Sequence, residues 1–129
     1  MAQPRHRATA SVFRALAHPE RVHILELLSR QEMCVCELAT VLHRRQAYVS
    51  QQLSVLRRAG LVVDRREGLQ VFYRLIDPAL PDLLSGATAL GTRLRATAAA
   101  AQSGHQAGSR QQTSSESRGY RNGDVVSDH

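Results

Sequence analysis

The two cysteines of this chain lie one residue apart, as Cys34 and Cys36 in the segment EMCVCEL. Thiolates bind soft and borderline metal ions, and they are also the groups that oxidants modify. Cysteines can instead be buried as small hydrophobic side chains. Three roles are therefore open to the pair: ligands of a thiophilic ion, a thiol-redox sensor, or inert packing groups.

An ion held by both cysteines would constrain the local backbone. Side chains at i and i+2 point about 200° apart in a regular α-helix, but to the same side in an extended segment. The spacing thus predicts that a bridging ion distorts the first turn of any helix that begins here. Two thiolates also leave the coordination of Zn²⁺ or Cd²⁺ incomplete. We expect His6, His105, a buffer thiol or a residue of a second subunit to complete it.

The sequence shows no His/Asp/Ser or paired-carboxylate arrangement, so we expect no catalytic residues, no enzyme activity and no organic cofactor. The remaining histidines are expected to be structural. His18 precedes Pro19 and is placed to cap a helix, whereas His23 and His43 lie near apolar faces. The function should therefore come from binding rather than from catalysis.

The composition favours a polyanion as the partner. The chain has 129 residues, the length of one domain, and a formal net charge of +6 that comes from arginine without lysine. Arginine forms bidentate bonds to phosphate and to guanine. The N-terminal segment MAQPRHRATA lacks an apolar run, and no stretch approaches the roughly 20 apolar residues of a membrane helix. We expect a cytoplasmic protein that has no membrane partner.

Apolar spacing predicts a mainly α fold. Helical periodicity covers five segments, which are residues 11–18, 19–30, 36–43, 44–60 and 79–100. Leu38, Val41 and Leu42 should face inward from the third helix. Gly60 should end the fourth helix, because glycine readily takes the left-handed conformation that follows a helix.

A small β-hairpin is predicted between the fourth and fifth helices. Alternating residues at 61–63 and 69–75 indicate two strands, with Gly68 in the turn between them. Asp77 and Pro78 should then start the last helix, as its cap and its first residue.

The order helix, helix, helix–turn–helix, hairpin, helix is that of a winged helix-turn-helix. The short turn between the third and fourth helices should lie near residues 43–45. We divide the chain into an N-terminal arm at 1–10, the winged helix-turn-helix DNA-binding domain at 11–101 and a disordered tail at 102–129. The tail is rich in Gly, Ser, Gln and Arg, and it cannot bury enough apolar surface to fold.

Basic residues concentrate in the part of the domain predicted to face DNA. Residues 44–74 hold seven arginines against Asp64 and Glu67. The positive end of the fourth helix also favours phosphate. Winged helix-turn-helix domains can dock proteins instead, but this arginine density favours double-stranded operator DNA as the partner. The predicted DNA contacts, the last two at the wing tip, are Arg44, Arg45, Gln46, Tyr48, Ser50, Gln51, Arg65 and Arg66.

The segments RALAHPERVHILELL, CELATVLH, VSQQLSVLRRAGLV and REGLQVFYRL resemble the bacterial metal-sensing repressors of the ArsR–SmtB type. The resemblance covers about residues 11–100. It implies a homodimer that represses its operator and leaves it when an inducer binds. It also implies that the domain at 11–101 dimerises through its first and last helices, around residues 11–17 and 81–100.

Within that family, EMCVCEL resembles the ELCVCDL motif of the arsenic-type and cadmium/lead-type sensors. The resemblance implies that Cys34 and Cys36 bind As(III) or Sb(III), or an ion of the Cd, Pb and Zn class, as the inducer. The third cysteine of arsenic-type sensors is replaced near Ala39, and the N-terminal cysteines of cadmium-type sensors are absent. A further family site, with Asp and His pairs on the last helix, is not expected, because residues 81–100 contain Asp82 and no His.

Two alternatives keep the winged-helix repressor and change its effector. In the first, the same cysteines sense thiol oxidation or reactive sulfur. In the second, the cysteines are inert and the repressor answers to another effector, such as nickel.

Overall fold

The computed structural model of the chain describes residues 3–105. The chain divides into two compact units between Leu90 and Gly91. The elements, in chain order, are α1 (Pro4–Leu16), α2 (Pro19–Leu28), β1 (Met33–Cys34), α3 (Val35–Leu42), α4 (Gln46–Arg58), β2 (Val62–Glu67), β3 (Gln70–Leu75) and α5 (Leu80–His105).

The predicted fold class is confirmed: the chain is a mainly α winged helix-turn-helix with a small antiparallel sheet. The core lies within residues 1–90 and joins the inner faces of α2, α3 and α4 to the sheet. Among residues 3–105, no helix is both long and apolar enough to cross a membrane. The largest fully buried side chains are Ile24, Leu25, Leu38, Val49, Leu53, Leu56 and Val62.

Helix α2 begins where its sequence favours a helix start. His18 has an extended backbone, and its Nδ1 accepts a hydrogen bond of 3.2 Å from the Glu20 amide, so the predicted capping role is confirmed. Pro19 occupies the first helical position, where its missing N–H costs no helical bond. The Glu20 carboxylate lies in the first turn, at the positive end of the helix.

Arg21 connects three helices within residues 1–90. Its Nε donates to the Ala15 carbonyl over 2.6 Å and its Nη2 to the Arg14 carbonyl over 3.5 Å, at the C-terminal end of α1. Its Nη1 donates to Oε1 of Gln52 on α4 over 3.0 Å. A cation at the negative end of a helix is favourable. Arg21 therefore anchors both α1 and α4 to α2.

Arg21→Ala should lower the free energy of unfolding by about 1–3 kcal/mol, because it removes charge-assisted hydrogen bonds to partly buried partners. Chemical denaturation of the purified variant measures the change. The control is Arg7→Ala, which removes an exposed arginine of α1 and should change the free energy by no more than about 0.5 kcal/mol. Equal stability of the two variants would contradict the anchoring role.

A tight turn at His43 joins α3 to α4, at the place predicted. His43 has φ +57°, in the left-handed region, and the Arg44 amide donates to the Ala39 carbonyl over 3.1 Å. This arrangement ends α3 and lets α4 begin at Gln46. One inward residue of α3 is predicted wrongly: Val41 is 44% exposed, because the buried stripe runs through positions 38, 39 and 42 and passes beside it.

Helix α4 has the inward stripe that its spacing predicts. Val49, Leu53 and Leu56 are completely buried. Gly60 follows the helix with φ +79°, and the Leu61 amide donates to the Leu56 carbonyl over 3.0 Å, which confirms glycine at the helix end. The buried stripe fixes the opposite face of α4 toward solvent.

Strands β2 and β3 form the predicted hairpin, called the wing below. They pair antiparallel from Val62 opposite Leu75 to Glu67 opposite Gln70. Gly68 lies in the turn with φ +63°, a conformation that glycine takes at no steric cost.

Strand β1 is an element that the sequence did not predict. It pairs antiparallel with β3, with Met33 opposite Tyr73 and Cys34 opposite Phe72, and the sheet order is β1-β3-β2. A two-residue strand has too few positions to show an alternating pattern. It places the first cysteine directly on the wing's own sheet.

The ends of the described chain differ from the predicted boundaries. Helix α1 begins at Pro4, so part of the N-terminal arm at 1–10 is helical. Asp77 forms a turn before α5, since its Oδ1 accepts from the Ala79 amide over 2.8 Å, and the helix begins at Leu80 rather than at Pro78. Helix α5 continues to His105, into the first residues of the tail predicted at 102–129. The rest of that tail lies outside the described residues.

Candidate cysteine site and DNA-binding surface

The cysteine pair spans the start of α3. Cys34 is the N-cap, with extended backbone at φ −89° and ψ 165°. Its Sγ accepts a hydrogen bond from the Glu37 amide over 3.4 Å, and its own amide donates to Oε1 of Glu37 over 2.9 Å. This reciprocal pair is a capping box, in which cysteine holds the place usually taken by serine or threonine. Cys36 is the second residue of the helix.

The sulfurs of Cys34 and Cys36 meet at the start of α3, and α3 remains helical. Cys34 and Cys36 are joined as a disulfide, with their Cα atoms 5.4 Å apart. The prediction that a bridging ion distorts the first turn stays a prediction, because a direct sulfur–sulfur bond is not an ion bridge. That prediction assumed that both residues lie inside one helix, whereas Cys34 lies outside it and its extended backbone turns its sulfur toward Cys36.

The pair opens into a cleft between α3, α4 and the wing. Cys34 is only 3% exposed, whereas Cys36 is half-buried. The side-chain amide nitrogen of Gln70, on β3, lies 3.9 Å from the Cys36 sulfur. The cleft has a volume of about 340 Å³. Its lining comes from the start of α3, from α4 and from the wing, and consists of Cys34, Val35, Cys36, Gln46, Ser50, Leu69, Gln70 and Val71.

The described residues do not supply a complete metal site from one protomer. Between residues 3 and 105, no group of three or more His, Cys, Asp or Glu side chains is placed to hold an ion. His6 lies in the first turn of α1, where its Nδ1 accepts from the Gln3 amide over 3.2 Å. The side chain of His105 is outside the described set. The predicted third or fourth ligand therefore has no counterpart in this part of the chain.

The predicted reader residues of α4 lie on its solvent face. Arg45, Gln46, Ser50 and Gln51 are exposed, and Arg45 is the N-cap of the helix. Their exposure follows from the stripe that buries the other side of α4. A helix that presents arginine, glutamine and serine in this way can place donors and acceptors against base edges in a major groove.

Arg44 and Tyr48 are held together at the start of this surface. The Arg44 guanidinium lies over the Tyr48 ring, 4.9 Å from its centroid, and its Nη2 is 3.2 Å from Oε1 of Glu20. The Tyr48 ring is half-buried against the core. Arg44 is thus partly fixed by its neighbours, while about half of its side chain remains exposed.

The two wing arginines differ in surroundings. In the β2–β3 register, Arg65 lies opposite Phe72 and Arg66 opposite Val71, so the two side chains leave opposite faces of the sheet. Arg65 makes ion pairs with Glu32 at 2.7 Å and with Glu67 at 2.8 Å. The hydrogen bonds from Arg65 hold the pKa of Glu32 below its usual range. The extreme tip is a fully exposed Leu69 rather than an arginine.

Three residues of the site were not predicted from the sequence. Glu37 had a detectable motif, since an acid three residues after a cap is the usual capping-box spacing, but cysteine is not a usual cap. Glu32 and Gln70 gave no local sign, because their partners lie 33 and 34 residues away in the chain.

Comparison with known proteins identifies the family. Residues 18–63 match the family model described as bacterial regulatory protein, arsR family. The uncharacterised HTH-type transcriptional regulator Rv0081 of Mycobacterium tuberculosis is 40% identical over 84 residues, which are 64% of this chain and 74% of that protein. This chain belongs to the ArsR family. The arsenic resistance transcriptional regulator ArsR1 of Pseudomonas putida is 44% identical to this ArsR-family chain over 71 residues, 54% of this chain and 55% of that protein.

Solved structures agree with this assignment. The crystal structure of Rv0081 has a TM-score of 0.68 at 36% identity, covering 76% of this chain and 99% of that one. The solution structure of Mb0332 from Mycobacterium bovis, a homodimeric winged helix-turn-helix DNA-binding domain, has a TM-score of 0.62 at 31% identity, covering 67% and 80%. The predicted family is confirmed. The protein is a DNA-binding transcriptional regulator of the ArsR family and not an enzyme.

Proposed function

We propose that this ArsR-family protein is a homodimeric repressor that leaves its operator when a thiophilic metal or metalloid ion binds Cys34 and Cys36. The convergence of the two sulfurs carries the proposal, because they meet in a cleft that also contains Gln46 and Ser50 of the proposed DNA reader. An inducer held there lies next to the residues that contact DNA. The regulator acts in the cytoplasm, where bacterial operator DNA is found.

Ion binding acts on the start of α3 through its cap. The Cys34 sulfur accepts the Glu37 amide, and a sulfur that coordinates an ion offers less electron density to that amide. The Cys36 sulfur exchanges its contact with Gln70 of the wing for the same ion. An ion that prefers the resulting conformation lowers DNA affinity, and DNA lowers ion affinity by the same factor.

The chemistry of the pair favours a soft inducer, since thiolates select soft and borderline ions. As(III) and Sb(III) form the first group, and the name of the Pseudomonas relative favours arsenic. Ions of the Cd, Pb and Zn class form the second. The remaining ligands come from His6 or His105, from a small thiol, or from a partner protomer.

A DNA-release assay tests this function. The reduced protein is bound to a labelled duplex from its own upstream region and titrated with As(III), Sb(III), Cd(II), Pb(II), Zn(II) and Ni(II). We expect release by As(III) and Sb(III), or by the Cd, Pb and Zn class, at concentrations at which Ni(II) has no effect. Release by Ni(II) alone would instead favour inert cysteines and another effector site.

The proposed DNA surface has α4 in the major groove and the wing beside it. Arg45 and the polar residues of α4 supply base and phosphate contacts, while Arg66 supplies a phosphate contact from the wing. Arg65 belongs to the predicted set but is already engaged by two carboxylates. The contacts proposed on α4 and the turn before it are Arg44, Arg45, Gln46, Tyr48, Ser50 and Gln51.

Arg45→Ala and Gln51→Ala should each weaken specific operator binding by about 1–3 kcal/mol, because each removes a base or phosphate contact from the exposed face of α4. Binding is measured by fluorescence anisotropy at physiological salt. Arg30→Ala and Gln31→Ala, which change the same residue types in the exposed turn after α2, should bind like the wild type. If both reader variants kept full affinity, the surface would have to be placed elsewhere.

The disulfide gives specific support to a second candidate, a repressor that senses oxidants. Two thiols that already lie within bonding distance can join with loss of two protons and two electrons to a peroxide. Intact-mass measurement after peroxide treatment would show the loss of two hydrogens from the pair. The oxidant-sensing function is supported if peroxide releases DNA while the ion panel does not, and if dithiothreitol restores DNA binding.

The proposed homodimer uses α1 and the first part of α5. Phe13 and Leu83 are large apolar side chains that are 54% and 39% exposed. They line one apolar groove together with Leu16, Val22 and Ala87. Contiguous exposed apolar surface of this kind marks protein interfaces, and the homodimeric relative favours a second copy of the same face as the partner.

A further inference from the structure

We propose that Glu32 and Arg65 form an intramolecular clamp that holds the wing in its DNA-binding position. In this role Arg65 positions the wing and does not contact phosphate itself. The proposal rests on the proposed contact between the wing and DNA, but the clamp itself can be tested without DNA.

The bonds around Arg65 use most of its donors. Nη2 donates to Oε1 of Glu32 over 2.7 Å and Nε to Oε2 over 3.1 Å, which is the bidentate geometry of the strongest arginine–carboxylate pairs. Nη1 donates to Oε1 of Glu67 over 2.8 Å. The guanidinium also lies over the Phe72 ring, 4.9 Å from its centroid. A phosphate would have to displace these partners to reach Arg65.

The charges of the cluster also argue against a phosphate contact. One guanidinium stands against the carboxylates of Glu32 and Glu67, so the three groups together carry net negative charge. Arg74 also acts on Glu32, so the positive charge of Arg65 is compensated by its neighbours and is not left over for a DNA phosphate. The cluster lies on a wing that is proposed to approach DNA. We therefore infer that the cluster holds the wing in position and does not itself bind DNA.

The sheet register shows what the clamp connects. Cys34 of β1, Phe72 of β3 and Arg65 of β2 lie in one row across the three strands. Glu32 lies two residues before Cys34, outside the wing. Its carboxylate reaches across β3 to Arg65 on β2, the strand at the edge of the sheet. The clamp therefore ties the wing's outer strand to the segment that carries the cysteines.

The neighbouring Arg66 provides a matched comparison within the same strand. It leaves the opposite face of β2, where Val71 is its cross-strand neighbour, and it is exposed. A phosphate contact by Arg66 contributes one ion release, about 0.9 in the slope of log affinity against log salt. A positioning role for Arg65 changes affinity and leaves that slope unaltered.

Equilibrium titrations with duplex DNA at several salt concentrations separate the two roles. Glu32→Gln and Arg65→Gln should each weaken binding about two- to fivefold, the range expected from one exposed ion pair. The double variant should be no weaker than the weaker single variant. Glu26→Gln controls for the lost negative charge on an exposed residue of α2 and should bind as tightly as the wild type or slightly more tightly. Arg66→Gln should lower the salt slope, and Arg65→Gln should not.

A charge swap gives the conservative rescue. Glu32→Arg combined with Arg65→Glu restores the ion pair, but it also sets the relocated carboxylate against Glu67. The swap is therefore made in a Glu67→Gln background, and most of the affinity of Glu67→Gln alone should return. If Arg65 contacts phosphate, the swap abolishes that contact and Glu32→Gln binds more tightly than Glu26→Gln. Either result, together with a lower salt slope for Arg65→Gln, overturns the proposal.

Hydrogen exchange on the DNA-free protein tests the clamp directly. Glu32→Gln and Arg65→Gln should speed amide exchange in β2 and β3, whereas Arg66→Gln should leave it at the wild-type rate. Unchanged exchange in the first two variants would show that the wing does not depend on the clamp. If the wild type bound no duplex at all, the proposed function would fail, and the exchange result would still decide on the clamp.

Discussion

Cys34→Ser and Cys36→Ser should each bind operator DNA as the wild type does and lose their release by the inducer. To convert a mostly bound population into a mostly free one, the ion must prefer the DNA-free conformation by an energy on the order of 5 kcal/mol. Losing one of two thiolates removes most of that preference, since a serine hydroxyl is a poor ligand for soft ions. We expect at least about a hundredfold higher inducer concentration for half-release.

Because Cys34 caps α3, its replacement by serine tests ion binding without removing the cap. Serine is among the preferred N-cap residues, so Cys34→Ser keeps or strengthens the bond from the Glu37 amide. Melting temperature should therefore be unchanged or slightly higher in that variant, and Cys36→Ser serves as the comparison without a capping change. The measurement is DNA release during titration with As(III) and Cd(II) under reducing conditions. Release of either variant at the wild-type concentration would falsify the assignment of the pair as the sensor.

Phe13→Asp and Leu83→Asp should convert the proposed homodimer into monomers. Each places an unpaired carboxylate in the apolar groove between α1 and α5, and desolvating that charge in the interface costs several kcal/mol. We expect the dimer dissociation constant to rise by about a hundredfold or more. Operator affinity should fall steeply with it, because each monomer presents only one reader helix to a two-part site.

Sedimentation velocity across a concentration series measures the change in assembly. Val41→Asp is the control, since it makes the same type of substitution at an exposed position of α3, away from the groove. That variant should remain a dimer. Circular dichroism distinguishes dissociation from unfolding, because both groove residues are largely outside the core. A dimer of wild-type strength in Phe13→Asp and Leu83→Asp would exclude α1 and α5 as the pairing surface.

Elements with a long apolar stripe were predictable, and elements fixed by a distant partner were not. Helix α4 offered Val49, Leu53 and Leu56 at regular spacing, and this stripe located its solvent face, where Gln46 and Gln51 are indeed exposed. Strand β1 has two residues and exists because β3 pairs with it. No local pattern in the sequence encodes such a partner.

The same distinction explains the results at the site. The cysteine pair was visible from its spacing, but its geometry depended on whether Cys34 lay inside the helix or before it. A shift of one residue in a helix start decides whether the two sulfurs diverge or meet. The role of Arg65 was likewise hidden, because nothing near it in the sequence indicates that Glu32 lies beside it.

The cap position of Cys34 bears on how the proposed response to an ion could be gained and lost in evolution. Because the residue completes a helix start that serine also completes well, a single-nucleotide change between the two codons leaves the domain folded. Selection on the effector can then proceed without first compensating a loss of stability. If the proposed function holds, a lineage can lose the response to its inducer while keeping its operator, and later regain that response, through sequences that all fold.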